Sequence, residues 1–190
     1  MATDSRQPWV LAGYDLFASG GPQGLKVEVL ARRVGKSKSS FYHHFADLDV
    51  FTEFLLAHHL TQARQLAELE RTCQQVVPDL LNVLIDARQD LLFSRQLRIH
   101  RAVGAYRHCF EKANEAIGDG ILPIWAASMG LANSHDLARM ILRVALDNFF
   151  AQLTVETLSF EWLLGFVQQM QGLVRAFKHN QQREALYGSV

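Results

Sequence analysis

Apolar side chains return every three or four residues along almost the whole of this chain, and no sustained stretch alternates them one by one. Tyr14 and Phe17 follow Val10 at helical spacing, and Val27, Leu30, Ala31 and Val34 repeat the pattern over a shorter span. No Asn-Gly or Asp-Gly pair joins two β-branched runs, so a hairpin has no turn from which to start. A chain with this spacing forms helices and has to bury their apolar stripes against one another. The fold class it predicts is all-α.

Punctuation locates the helices. Pro8 suits the first turn of one helix, and "SGGPQG" at 19–24 ends it in a loop. Gly35 stops a short second helix, and Ser37 is an N-cap for a third over about Lys38 to His44. Asp47 caps a long fourth helix, expected to reach about Arg71 with Val50, Phe51, Phe54, Leu55, His58 and Leu66 turned inward. Pro78 is expected to open a fifth helix that carries Leu80, Leu81, Leu84, Ile85, Leu91 and Leu92. Further helices are expected over roughly 96–117, 121–131, 134–157 and 160–180.

Charge separates the two ends. The 190 residues hold 19 basic and 19 acidic side chains, yet residues 1–45 carry six basic against three acidic, +3, which leaves −3 for the remainder. A basic head on a mildly acidic body suits a polyanion contacted at one end. Apolar residues, at 49%, are enough for a sizeable core. Cys73 and Cys109 stand alone in separate helical segments, which makes neither a disulfide framework nor a zinc ribbon. "MATDSRQPW" lacks a signal peptide's apolar run, and the most apolar segment, 121–132, is short and interrupted by Pro123. The expectation is a soluble cytoplasmic protein that spans no membrane. No nucleophile elbow, phosphate-cradling glycine loop or His-Glu metal motif occurs, so neither an enzyme nor a cofactor is expected. His43, His44, His58 and His59 form adjacent pairs without helical spacing or a clear carboxylate partner, so no metal site is expected either.

The stretch "VLARRVGKSKSSFYHHF", 29–45, concentrates the chemistry, with Arg32, Arg33, Lys36 and Lys38 inside seven residues. In a helix that begins after Ser37, Phe41 and Phe45 share one face and turn to a core with Phe17, Leu30 and Val34. Lys38, Ser39, Tyr42 and His43 occupy the opposite face, with Ser40 and His44 on its flank. Small hydroxyls at a helix N-terminus allow the backbone close to a phosphate or a base edge, and the free N–H groups there favour anions. Two short helices joined through Gly35, the second showing this face, make a helix-turn-helix. Arg32 also lies four residues after Glu28, the spacing of an ion pair on one helix.

Phe17 and Gly24, then Leu30-Ala31, Gly35, Ser37-Lys38, Phe41-Tyr42 and Phe45, resemble the DNA-binding signature of the TetR family of transcriptional regulators. The resemblance implies a DNA-binding domain over 1–46 and a larger helical effector-binding and dimerisation domain over 47–190. It implies base or phosphate contacts from Lys38, Ser39, Tyr42 and His43, with Ser37, Ser40 and His44 near backbone phosphate. Two positions depart from the family's habit. Lys26-Val27 stands where Thr or Ser usually caps the second helix, which leaves Lys26 to reach a phosphate. Leu48, between Asp47 and Asp49, stands where a lysine is common, so nonspecific DNA binding is expected to be weaker than usual.

The same resemblance assigns the effector site to 95–130, where His100, Tyr106, His108, Cys109, Phe110, Trp125 and Met129 sit among small residues. Asp147 is a further polar candidate, for pocket or interface. The last two helices are apolar around more than one face, as core helices are, or as helices are that pack on a core and on a partner. Met140, Val144 and Phe150 on one, with Trp162, Phe166 and Leu173 on the other, are the expected homodimer contacts. The implied function is a dimeric regulator, by family habit a repressor, that reads a palindromic double-stranded DNA operator and answers to a small, mostly apolar effector. The alternative is a helical ligand- or protein-binding module of TetR-like fold whose DNA binding is weakened or lost.

Overall fold

Glycines and side-chain caps set out the N-terminal head. The computed structural model describes residues 5–187, so Met1–Asp4 and Gly188–Val190, at the outer ends of the two expected domains, lie outside the described residues. Helix α1 (Gln7–Gly20) carries Pro8 in its first turn and stops at Gly21, where φ is 65°. Helix α2 (Val27–Val34) ends at Gly35, φ 70°, where the Lys36 N–H donates to the Ala31 carbonyl at 2.9 Å and the Gly35 N–H to Arg32 at 3.3 Å. That double closure needs a left-handed residue, which glycine supplies without strain. Helix α3 (Lys38–His44) is capped by Ser37, whose Oγ accepts the Ser40 N–H at 3.2 Å. Helix α4 (Leu48–Thr72) is capped by Asp47, whose Oδ1 accepts the Val50 N–H at 2.8 Å.

These helices close around aromatic rings. Phe41 meets Trp9 edge-on at 5.5 Å between centroids and Phe51 at 5.3 Å, and Phe17, Leu30 and Phe45 are buried with it. The cluster does not stop at residue 46. It continues through Phe51 and Leu55 of α4 to Phe93 and Leu97 of helix α6 (Arg88–Ile99). The expected boundary between 46 and 47 is therefore a change of helix within one continuous core.

Beyond α4 the sequence reading needs correction in four places. The expected fifth helix is a wide turn over Val76–Leu80, then α5 (Leu81–Asp86), then a break at Ala87 before α6. The two helices expected over 96–117 and 121–131 are one, α7 (Gly104–Ser128), which runs through Pro123. Gly120, in the expected gap between those two helices, serves a helix crossing: a Cβ there would lie 3.0 Å from the Ala67 carbonyl of α4. Helix α8 (His135–Gln152) stops short of Thr157 because Thr154 and Thr157 bond each other's backbone N–H, at 2.8 and 3.1 Å. Helix α9 (Phe160–Tyr187) outruns the expected end near 180. On α4 the inward histidine is His59, fully buried, while His58 is half-exposed.

Helix α4 links the two ends of the molecule. It leaves the head at Asp47 and packs along α7, the most extensive helix pair among the described residues. At 1.5 Å per residue, its last turn lies roughly 35 Å from its first.

Candidate nucleic-acid interface and ligand cavity

Helix α3 divides its residues between core and solvent as its spacing requires. Phe41 and Phe45 are buried, while Ser37, Lys38, Ser39, Tyr42 and His43 are exposed, Tyr42 to 56%. Ser40 and His44 are partly covered on the flank. Lys26 is exposed at the N-cap position of α2 and makes no side-chain cap, which leaves that helix start open. Leu48 is half-buried against the head's core, so its replacement of a lysine is a packing contact.

The head's cations are partly engaged. Lys38 Nζ donates to Glu28 Oε1 at 2.7 Å, and that hydrogen bond raises the Lys38 pKa and lowers that of Glu28. Glu28 therefore meets Lys38 on the next helix, not Arg32 on its own. Arg33 reaches Asp15 of α1 at 3.3 Å. Both pairs are exposed and exchangeable, so a phosphate can compete for either cation.

A buried polar cluster joins the head to the body. The Tyr14 hydroxyl of α1 donates to Asp90 Oδ1 of α6 at 2.6 Å and lies 2.6 Å from His59 Nδ1 of α4. His59 Nε2 lies 3.0 Å from Ser94 Oγ of α6. Burial, aided by His58, lowers the His59 pKa to about 3, so the ring is neutral at physiological pH. Every group is satisfied when His59 Nδ1–H donates to Tyr14 and Ser94 donates to Nε2.

A cavity, partly open to solvent, lies between the end of α4, the 76–91 segment, α7, α8 and α9. Its walls are Leu, Ile, Val, Ala and aromatic side chains, with Trp125, Phe150 and Phe166 among them. Its lining suits a small, mostly apolar molecule. Glu70 is the one charged residue among the lining side chains. It is 1% exposed, and neither carboxylate oxygen has a hydrogen-bond partner. Burial pushes its pKa up to about 8, against a smaller downward pull from Arg71. Trp125 Nε1 is likewise buried without a partner.

Of the eight expected effector-site residues, Trp125 alone lines this cavity. His108 is exposed, and Asp147 is an exposed partner of Arg98 at 2.9 Å. His100 packs beside Gly21, where an added Cβ would lie 2.8 Å from its Nε2. Tyr106 packs edge-on against Phe17 at 5.5 Å, Phe110 against Phe150 at 5.4 Å, and Met129 is buried in the main core. Cys109 is buried with its thiol 3.7 Å from the Leu56 carbonyl, and burial pushes its pKa up to about 12. The first half of α7 faces the head's core, which is why its polar and aromatic residues miss the cavity. Glu70 went unread because Glu68, Glu70 and Arg71 at a helix end look solvated; the signal was Gly120, whose added Cβ would lie 3.1 Å from Glu70 Oε2. Among the described residues no three His, Cys, Asp or Glu side chains gather as a metal-binding group, and no helix is long and apolar enough to cross a membrane.

The expected dimer residues divide into two groups. Met140, Val144 and Leu173 are exposed to 59%, 67% and 60%; Phe177, which is not among the expected residues, is exposed to 52% on the same helix as Leu173. Phe150 and Phe166 turn into the chain's own core and line the cavity, and Trp162 is half-buried against Phe149. These three are placed by intrachain packing, so the bare apolar surface of α8 and α9 is narrower than the sequence pattern suggested.

Comparison with known proteins bears on the head and on the fold. Residues 10–48 match the family model for bacterial regulatory proteins of the tetR family. No curated protein matches the chain. A transcriptional regulator from Rhodococcus sp. Rha1 shares the fold with a TM-score of 0.65 at 18% identity, over 90% of this chain and 95% of its own. A structure assigned to the TetR-family transcriptional regulators, from Rhodococcus sp., superposes with a TM-score of 0.58 at 19% identity, over 90% and 96% of the two chains.

Proposed function

We propose that this chain, whose head is of the TetR family, is a homodimeric regulator that reads an inverted-repeat operator and is released from it by a small apolar effector. One observation carries the DNA reading: α3 buries Phe41 and Phe45 and leaves Lys38, Ser39, Tyr42 and His43 bare on the opposite face. That face presents a cation, a hydroxyl and an amphipathic ring at a helix start, the means by which a recognition helix enters a major groove. Lys26, with Ser37, Ser40 and His44, borders it as a phosphate-contacting rim. The i, i+4 pairs Met140–Val144 and Leu173–Phe177 support a seam between two copies.

The way the parts connect supports release by an effector, and repression is the family's commoner habit. Helix α4 carries the head's Asp47 cap at one end and Glu70 at the cavity, so filling the cavity bears on the helix that positions α3. Two heads must stand about 34–36 Å apart to enter successive major grooves, and a ligand that favours another spacing by about 1–3 kcal/mol is enough to regulate. The Lys38–Glu28 pair favours a second reading, a TetR-like module with weakened DNA binding, because DNA must displace Glu28 before it gains Lys38.

Selection of bound duplexes from a random library, at about physiological salt, separates the two. Recovery of an inverted repeat, lost in a Lys38→Ala, Tyr42→Ala double variant that stays folded, is the expected result. No enrichment from folded protein would reject the operator reading and leave the module reading in place.

A further inference from the structure

Most of the cavity asks only for an apolar body, and Glu70 asks for something more. A carboxyl group buried to 99% among hydrocarbon walls, with both oxygens unpartnered, is left with its hydrogen-bonding capacity unmet. The fold holds it there deliberately close: Gly120 of α7 is the residue whose missing Cβ makes room for Glu70 Oε2 at the α4 crossing. The other lining side chains carry no charge, so the wall holds no second ionised group, and the unpartnered Trp125 Nε1–H is its other buried polar atom. From its own helix Arg71 is the neighbouring cation, and the Cys73 thiol, itself raised by burial and by Asp79, is the other titratable group close by.

We infer that the effector is a lipophilic amine: an apolar body that fills the cavity and one basic nitrogen that pairs with Glu70. The inference rests on the effector-responsive reading above and gives that effector a chemical class. An ammonium supplies the hydrogen bonds and the opposite charge that a buried carboxylate lacks, and a charge-assisted pair of this kind is stronger than a neutral one. Since burial holds Glu70 protonated up to about pH 8, binding the ammonium releases that proton. Amine affinity in the intact protein should then rise about tenfold per pH unit between about 6 and 7.5 and level off above about 8.

The test is direct titration calorimetry of the purified full chain, without DNA, using phenylalkylamines of two to six methylenes and the matching phenylalkanols. At about pH 8 the best amine should bind at least about tenfold more tightly than its alcohol. Glu70→Gln, which keeps the side chain's shape, should remove that preference and the pH dependence of amine binding, with alcohol affinity within about threefold. Equal or tighter binding of the alcohol, saturation by neither series, or an unchanged amine preference in Glu70→Gln would each overturn the inference. In the intact protein the levelling above about pH 8 decides the point, because a pocket that takes only the neutral amine keeps gaining affinity up to the amine's own pKa of about 10. No DNA enters the measurement, so a negative result rejects the amine while the operator selection judges the regulator.

Discussion

Replacing Glu70 by Gln should stabilise the free protein, and by an amount that depends on pH. The folded-state pKa of Glu70 is raised by burial from 4.5 to about 8. Between those values the folded chain holds a proton that the unfolded chain has released. The group's contribution is therefore fully present below about pH 4.5 and is lost as pH rises towards 8. The slope is about 1.4 kcal/mol per pH unit, which amounts to about 3 kcal/mol at pH 7 relative to acid conditions. Gln cannot titrate, so the variant should shed this slope. His59 contributes with the opposite sign: its pKa is lowered to about 3, so its stabilisation is lost as pH falls from about 6.5. That term is common to both proteins and cancels in the difference. Urea unfolding of both at one protein concentration, from about pH 5.5 to 7.5, should show the Glu70→Gln advantage growing by about 3 kcal/mol. A difference that stays constant across that range would mean that Glu70 is ionised and solvated in the folded protein. The account of the cavity would then fail.

Phe41→Ala removes a ring of zero exposure at the centre of the head and should cost about 3–5 kcal/mol, measured as a loss of unfolding midpoint; a cost under about 1 kcal/mol would place the ring elsewhere. Lys38→Ala should weaken operator binding and make the slope of log affinity against log salt shallower by about 0.9, as one lost phosphate contact does; an unchanged slope would mean that Lys38 stays with Glu28 in the complex. Val144→Asp, at a site 67% exposed, should raise the dimer dissociation constant at least about tenfold in sedimentation velocity with the helical content unchanged; an unaltered dimer would move the seam away from α8.

The head was legible because each of its signals is local. Ser37 and Asp47 cap within three residues, Gly35 closes α2 on itself, and Phe41 and Phe45 are sorted by helical spacing alone. The body was read less well because its signals depend on what crosses what. Gly118 and Gly120 look like a helix break until α4 is laid against α7, and His58 and His59 cannot be told apart until α1 and α6 supply Tyr14 and Ser94. The cavity failed to appear in the sequence for the same reason. Its walls come from five separated stretches, while the aromatic-rich 100–110 segment that drew attention packs against the head. Phe150 and Phe166 match an interface stripe as well as a core stripe, and only the intrachain packing decides between them.

The cluster of Tyr14, His59, Asp90 and Ser94 sets how movement can pass through this molecule. Greasy surfaces can slip past one another at nearly constant energy, because one methyl is as good a neighbour as the next. Bonds of 2.6 to 3.0 Å, buried at His59 and half-buried at Asp90, resist such slip, since a shift of an ångström leaves the His59 and Ser94 groups unpaired and away from water. Helix α1 is thereby keyed to α4 and α6 in one register, and the neck between head and body has no clutch. In the proposed dimer, a stroke that begins at the cavity would turn head and upper body together, and the give would come from the joint between the two copies.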